Sequence, residues 1–219
     1  MDPVHGFIVI DEDWLLDLVD TPEFQRLRRI RQLGVSSGTY HGAEHSRFGH
    51  SLGVFSIMRW VLQELVHRGT PLEESDRKAA LAAALLHDVG HAPFSHALEG
   101  VLTPHVGHER WSQAIILGNG ELGRRLRAVD PQLPQRVCAL LEGTGGQPWL
   151  RQLVSSQLDV DRFDYLLRDS LYTGTGYGRF DLERIIHTLR VFQGRLALQI
   201  KGLHAAEEYV LARHFMYWR

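Results

Sequence analysis

His87-Asp88-Val89-Gly90-His91-Ala92-Pro93-Phe94-Ser95-His96 is the stretch on which the reading of this 219-residue chain turns. It follows residues 79–86, an unbroken apolar run that reads as a buried helix, so an adjacent His and Asp are carried at the end of a rigid element. Gly90 and Pro93 stop that helix and turn the chain, which is expected to bring His91 and His96 back toward one pocket. A neutral imidazole beside a carboxylate suits a divalent metal of intermediate softness, and two further histidines nearby suit phosphate oxygens or proton transfer. A lone histidine there would more often be a satisfied core side chain. Three of them with an aspartate around a helix break favour a site.

Upstream, residues 70–76 form a connection in which Ser75 is placed to cap the alanine-rich helix. Before it, Leu52, Val54, Phe55, Met58, Val61, Leu62 and Leu65 outline a long amphipathic helix from Arg47 onward. Arg47 stands three residues before His50, so both project from one face and an arginine fork can reach the ligands of a metal at His50. Earlier still, residues 11–19 read as a helix, and Pro22 opens a second one with Phe24, Leu27, Ile30 and Leu33 on one face, ending at Gly34. Its arginines, Arg26, Arg28, Arg29 and Arg31, read as a solvated face. The apolar run at residues 7–10 reads as a short strand or extended segment.

Downstream, His108-Glu109 opens a helix after a loop at 103–107, where the dipole lowers an imidazole's pKa and the glutamate raises it. Residues 121–128 and 134–141 read as short structural helices. Between Leu158 and Asp169 lies a helix on which Asp161, Tyr165 and Asp169, four apart, line one stripe. Taken in isolation, its aspartates would be an exposed acidic face paired with Arg162 and Arg168. Gly174, Gly176 and Gly178 alternate too loosely for a nucleotide fingerprint. A hairpin is expected around Gln193-Gly194-Arg195, followed by a final helix over 203–219 that lacks a stop signal and reads as cut mid-helix.

Composition bounds the rest. Hydrophobic residues make up 44% and charged residues 23%, enough for one well-buried domain over residues 1–219 with no disulfide. The net charge of −2 gives no global basic field, so nucleic-acid binding is not indicated by charge and any anion site must be local. Cys138 stands alone in apolar surroundings and reads as a buried thiol with no catalytic role, in a reducing compartment. No run has the length of a membrane span and the N-terminus is not a signal peptide, so a cytoplasmic protein is expected.

Read together, the strings from Arg47 to Val54, from His87 to His96, His108-Glu109, and from Leu158 to Asp169 resemble the HD-domain metal-dependent phosphohydrolases. The order His, His-Asp, Asp is that superfamily's signature, and the longer strings are similar to the branch containing the deoxynucleoside triphosphate triphosphohydrolases. The likeness begins at Asp2-Pro3-Val4-His5-Gly6 and includes residues 20–28.

The resemblance implies an all-α HD fold with a minor peripheral hairpin and a divalent metal ion, Mn, Fe, Ni, Zn or Mg, held by His50, His87, Asp88 and Asp161. It further implies attack of a metal-activated water on the α-phosphorus, with loss of the nucleoside 5′-oxygen and release of triphosphate. By motif, His108 is the acid, His91 and His96 attend the phosphates, and Arg47 and Arg162 stabilise phosphate charge. Gln32 and Leu33 match positions that check the sugar, Tyr165 and Asp169 match sugar-face residues, and Arg213 matches a phosphate contact. Asp20, Gln25 and Arg28 match effector contacts, but the basic stretch that usually precedes Asp-Pro-Val-His-Gly is not in this sequence. Relatives suggest a homo-oligomer, with the helix at residues 21–33 as a contact. Two alternatives remain: an HD phosphatase or nuclease acting on another phosphoester, and a module that senses nucleotides without turnover.

Overall fold

The computed structural model describes residues 1–94, 96–102 and 106–218, with the backbone alone for His96 and Leu102. In chain order the helices are α1 (Asp13–Val19), α2 (Pro22–Gln25), α3 (Arg47–His67), α4 (Glu74–Leu86), α5 (His96–Leu102), α6 (His108–Leu117), α7 (Glu121–Val129), α8 (Leu133–Leu141), α9 (Pro148–Val154), α10 (Val160–Thr173), α11 (Leu182–Thr188) and α12 (Leu203–Tyr217). Two strands, β1 (Leu189–Phe192) and β2 (Arg195–Leu198), pair antiparallel with Leu189 opposite Leu198. Gln193 and Gly194, at φ 49° and 73°, make the two-residue turn between them, the left-handed pair that matches strand twist. The all-α class with a small hairpin is therefore observed.

Helix α4 is the central element. Every residue from Ala79 to Leu86 is buried, and the run of alanines lets α3 and α8 approach its two sides closely. Helix α3 supplies Phe55, Met58, Leu62 and Leu65 to that core, and α10 closes on α3 through Phe163 and Leu166. Burying each such large side chain is worth about 1.5–3 kcal/mol relative to leaving it exposed. The N-termini of α3 and α10 and the C-terminus of α4 meet at one end of this packing, and the motif residues sit there.

Several local expectations need correction. The helix expected to run to Gly34 leaves α-geometry after Gln25, continues as a 3₁₀ turn over Arg26–Arg29 and is extended at Ile30. The reason is competition for backbone: Arg31 bridges Ser46, and Gln32 N–H and Arg47 N–H donate to the carbonyls of His45 and Ile30. Ser75 does not cap α4; the capping position is Glu73 and no side chain bonds there. Helix α9, which the sequence reading passed over, buries Trp149, Leu150 and Leu153, with the Trp149 indole donating to Gln147 at 2.7 Å. Arg168 is buried rather than exposed. The loop at 103–105 and Arg219 lie outside the described residues.

Candidate metal centre and phosphate site

Helix α3 projects His50, the residue after α4 is His87, and the first turn of α10 carries Asp161. His50 Nε2 lies 3.2 Å from His87 Nε2 and 3.0 Å from Asp161 Oδ1, and His87 Nε2 lies 3.7 Å from the same oxygen. The other nitrogen of each ring is already engaged: His50 Nδ1–H donates to Asp164 Oδ2 at 2.7 Å, and His87 Nδ1–H to the Ala84 carbonyl at 2.9 Å. Both rings are thereby held in the tautomer that presents a lone pair at Nε2. Two lone pairs and a carboxylate oxygen converging on one point repel one another and fit a cation between them. Neighbouring ligands on an octahedral ion with bonds of about 2.1 Å stand about 3 Å apart, close to the spacings found here. His50, His87 and Asp161 are positioned to hold a metal ion.

Asp88 stands at the margin of this cluster. Its Oδ1 is 3.4 Å from His87 Nε2 and its Oδ2 is 3.9 Å from His50 Nε2. Arg47 donates to Oδ2 at 2.5 Å, and His91 Nε2 meets Oδ1 at 3.2 Å. The sequence expectation that Arg47 reaches the ligand set thus has a definite partner. Burial works against the Asp88 carboxylate, but the charges of His87 and Arg47 and the bond to His91 hold it well below the usual carboxylate range. Burial likewise pulls His50 down, yet bonds to Asp161 and Asp164 on either side of the ring raise it to about 10, so without a cation Nε2 shares a proton with Asp161, and a bound metal takes that proton's place on the lone pair. For His91 burial prevails and pushes the imidazole to about 4, so it is neutral at neutral pH despite Asp88.

His91 stacks on His108, with ring centroids 3.8 Å apart and planes 15° from parallel. His108 opens α6, and Glu99 of α5 meets both its backbone N–H, at 2.5 Å, and its Nδ1, at 3.1 Å. The side chain of His96 lies outside the described residues. Arg47, His91 and His108 therefore form one wall beside the three candidate ligands.

The sugar-facing candidates form a second group. Asp169 Oδ1 meets His45 Nε2 at 2.7 Å, and the His45 carbonyl receives Gln32 N–H at 3.0 Å, so Gln32 and Asp169 share one neighbour. The Gln32 amide oxygen and His45 Nδ1 are buried without a hydrogen-bond partner among the described residues. Leu33 adjoins Gln32 and is half-buried. Tyr165 is half-buried, with its hydroxyl 3.4 Å from that of Tyr217 on α12. Arg162 is turned to Asp159, the cap of its own helix, and Arg213 donates to Gln157 at 2.5 Å. Neither of those two arginines is directed at the ligand cluster by any of these contacts.

Two supporting residues were not recognised from sequence: Arg26, read as part of a solvated face, is half-buried, and Asp164 was not singled out. Arg26 donates to the carbonyls of Val89 and His91, at 2.8 Å for the latter, and so anchors the turn that follows α4. Asp164 lies beneath His50, as above. Cys138 is buried, and burial raises its thiol to about 11, in keeping with an inert core position.

This combination of helices and ligands defines an HD-domain protein. The HD domain family matches residues 47–169, and the chain belongs to it; an HD-associated region matches residues 180–218. Among particular relatives, YwfO of Bacillus subtilis is 47% identical over 219 residues, covering all of this chain and 50% of its own length. The deoxynucleoside triphosphate triphosphohydrolase SAMHD1 of Gallus gallus is 32% identical, across 87% of this chain and 36% of its own. A crystal structure of a phosphohydrolase from Bacteroides thetaiotaomicron superposes with a TM-score of 0.90 at 42% identity, covering 99% of this chain and 52% of that one. The chain thus spans about a third to a half of the length of these relatives. Among the described residues, no helix is long and apolar enough to cross a membrane.

Proposed function

We propose that the protein hydrolyses deoxynucleoside triphosphates to deoxynucleoside and triphosphate, with a divalent cation held by His50, His87, Asp161 and Asp88. The observation that carries the reading is the convergence of two imidazole lone pairs and a carboxylate oxygen beside a wall of Arg47, His91 and His108. Such a cation, when bound, neutralises phosphate charge and lowers the pKa of water.

The chain's own residues supply the rest. Arg47, fixed by Asp88, presents its guanidinium to a phosphate at the ligand cluster. His91, neutral at pH 7, has its single N–H on Asp88 and would donate to a phosphate oxygen after leaving that carboxylate, without adding charge. His108, steadied by Glu99 and stacked on His91, is the proton donor to the departing 5′-oxygen. His96 is proposed beside them on the motif alone. Gln32, whose buried amide oxygen lacks a partner among the described residues, accepts from a sugar hydroxyl with Leu33, Tyr165 and Asp169 around it. Arg162 and Arg213 would reach phosphate after leaving Asp159 and Gln157. The similarity to SAMHD1 supports this choice of substrate. Residues 1–219 are proposed as one HD domain acting in a homo-oligomer.

The test is hydrolysis of a panel of deoxynucleotides and ribonucleotides by metal-stripped protein with Mn, Mg, Fe, Ni or Zn restored, resolving triphosphate from pyrophosphate and phosphate. Triphosphate from deoxynucleotides, absent in Asp88→Ala, is the expected result. Phosphate released from monophosphates alone would replace the reading with a general HD phosphatase. Tight nucleotide binding without turnover would replace it with a sensor.

A further inference from the structure

The N-terminal segment makes an unexpected contact with the floor of the metal centre. Asp2 and Gly6 pair across a tight turn, with Gly6 at φ 69°, and Asp2 Oδ1 accepts the N–H groups of Val4 and His5 at 2.9 and 3.0 Å. This turn directs His5 inward. Its Nε2–H donates to Asp164 Oδ1 at 2.6 Å, across 159 residues of sequence. The side chain of His5 is 10% exposed and that of Asp164 is fully buried.

Asp164 is saturated by four hydrogen bonds. Oδ1 accepts from His5 and from an Arg168 terminal nitrogen at 2.9 Å, while Oδ2 accepts from His50 Nδ1–H at 2.7 Å and from Arg168 Nε–H at 2.8 Å. Arg168 then returns to the turn, donating to both oxygens of Asp2 at 2.9 and 3.2 Å. The turn, Asp164 and Arg168 thus form a closed ring of charge-assisted bonds with His50 attached to it. Helix α3 leaves room for the ring at Gly53, where a Cβ would stand 1.9 Å from Asp164 Oδ1 and 2.5 Å from Arg168.

We propose that His5 is a positioning residue for the metal centre: through Asp164 it fixes the orientation and tautomer of His50, and the affinity of the site for its divalent cation depends on it. The inference rests on the metal-site reading above and adds to it a residue far from the ligands in sequence. The geometry shows what His5 adds. The Arg168 fork holds both oxygens of Asp164 from one side, and His5 on Oδ1 is the second anchor, from the N-terminal turn, that keeps the carboxylate and its fork seated under His50. An outer partner of a metal-bound histidine typically contributes about 10- to 100-fold in metal affinity.

The experiment measures the Mn and Zn dissociation constants of metal-stripped protein by competition with a chromophoric chelator, without nucleotide. His5→Phe keeps a ring in the turn and removes the donor, and because His5 acts through Asp164 it is expected to weaken binding by about 10-fold, the lower end of that range. His5→Gln restores a donor and is expected to bind close to the parent, as is Phe7→Ala, whose ring is 80% exposed on the same segment. A fall in melting temperature of metal-free His5→Phe with unchanged metal affinity would overturn the proposal, leaving His5 merely structural. So would equal weakening in His5→Gln. A parent that binds metal in this His5-dependent way yet turns over no phosphoester would sustain this inference and defeat the functional one. A parent that hydrolyses nucleotide with metal affinity indifferent to His5 would do the reverse.

Discussion

Asp164 and Tyr165 are consecutive residues of one helix with opposite surroundings. Asp164 is fully buried and accepts four hydrogen bonds that tie it to α3, to Arg168 and to the N-terminal turn. Tyr165 is half-buried, and its hydroxyl stands 3.4 Å from that of Tyr217 near the end of α12. The same contrast separates the two halves of the site. Its floor, with His50, Asp88, His91 and Asp164, is enclosed and its polar atoms are committed to one another. Its margin, with Gln32, Tyr165 and Arg213, keeps an amide oxygen unpartnered among the described residues and contacts to other flexible side chains, at 3.4 Å for Tyr165 and 2.5 Å for Arg213. A floor of this kind is organised before any ligand arrives; the margin acquires its partners from the ligand.

The largest expected effect breaks the floor itself. Asp161→Ala removes the oxygen that completes the cluster and is expected to abolish metal-dependent hydrolysis, beyond the ~100-fold typical of losing an outer partner. Product release by the metal-restored variant is the measurement, and parent-like turnover would remove Asp161 from the site. Gly53→Ala tests whether the floor tolerates displacement without loss of any ligand. Its Cβ would meet a buried carboxylate and guanidinium rather than a compliant apolar side chain, so a cost of about 1–3 kcal/mol or more is expected. Thermal unfolding would show it as a drop of several degrees, at about 2–4 °C per kcal/mol for a chain of this size. An unchanged melting temperature would mean that Asp164 and Arg168 can move aside, and the contrast with the margin would collapse.

Local patterns made candidates visible, an apolar run ending in His-Asp and a histidine three residues after an arginine, while the choice of Asp161 among the aspartates of its helix came from the family resemblance. The partners of those ligands follow no local pattern. Asp164 could not be told from Asp161 or Asp169 along α10, because His50 and His5 reach it across 114 and 159 residues. Arg168 looked like a surface partner because its spacing is that of an exposed helix pair, yet it is buried by Asp2 at the far end of the chain. Helical periodicity between Pro22 and Gly34 was real but was outcompeted beyond Arg29 by pairing with residues 45–47, which no window of that segment contains. Helix α9 is short and lies behind a glycine-rich turn, so its three buried side chains gave too little periodicity to register.

Arg26 sits at the boundary between the two halves, and its substitution sharpens the comparison. Arg26→Ala leaves the carbonyls of Val89 and His91 without their charged donor, and a loss of about 2 kcal/mol in stability is expected, as for a hydrogen bond to a charged group. Because the ligands are not bonded to Arg26, metal affinity should stay near the parent while turnover falls through misplacement of His91. Chelator competition beside steady-state kinetics separates the two, and a parallel loss of both would place Arg26 in the floor.

Tyr165→Phe should have the smallest effect, and it is the most direct test of the margin. The substitution removes one hydroxyl and leaves the ring, so the metal centre and the packing of α10 are expected to be unchanged. If the hydroxyl is released from Tyr217 to meet a bound sugar, its loss removes one neutral hydrogen bond, worth about 0.5–1.5 kcal/mol, and kcat/KM falls about tenfold at most. The fall should be larger for a substrate whose sugar offers a partner than for one that lacks it. A drop of a hundredfold or more, or any weakening of metal binding, would show that Tyr165 belongs with its neighbour Asp164 after all, and that the boundary between floor and margin does not run between them.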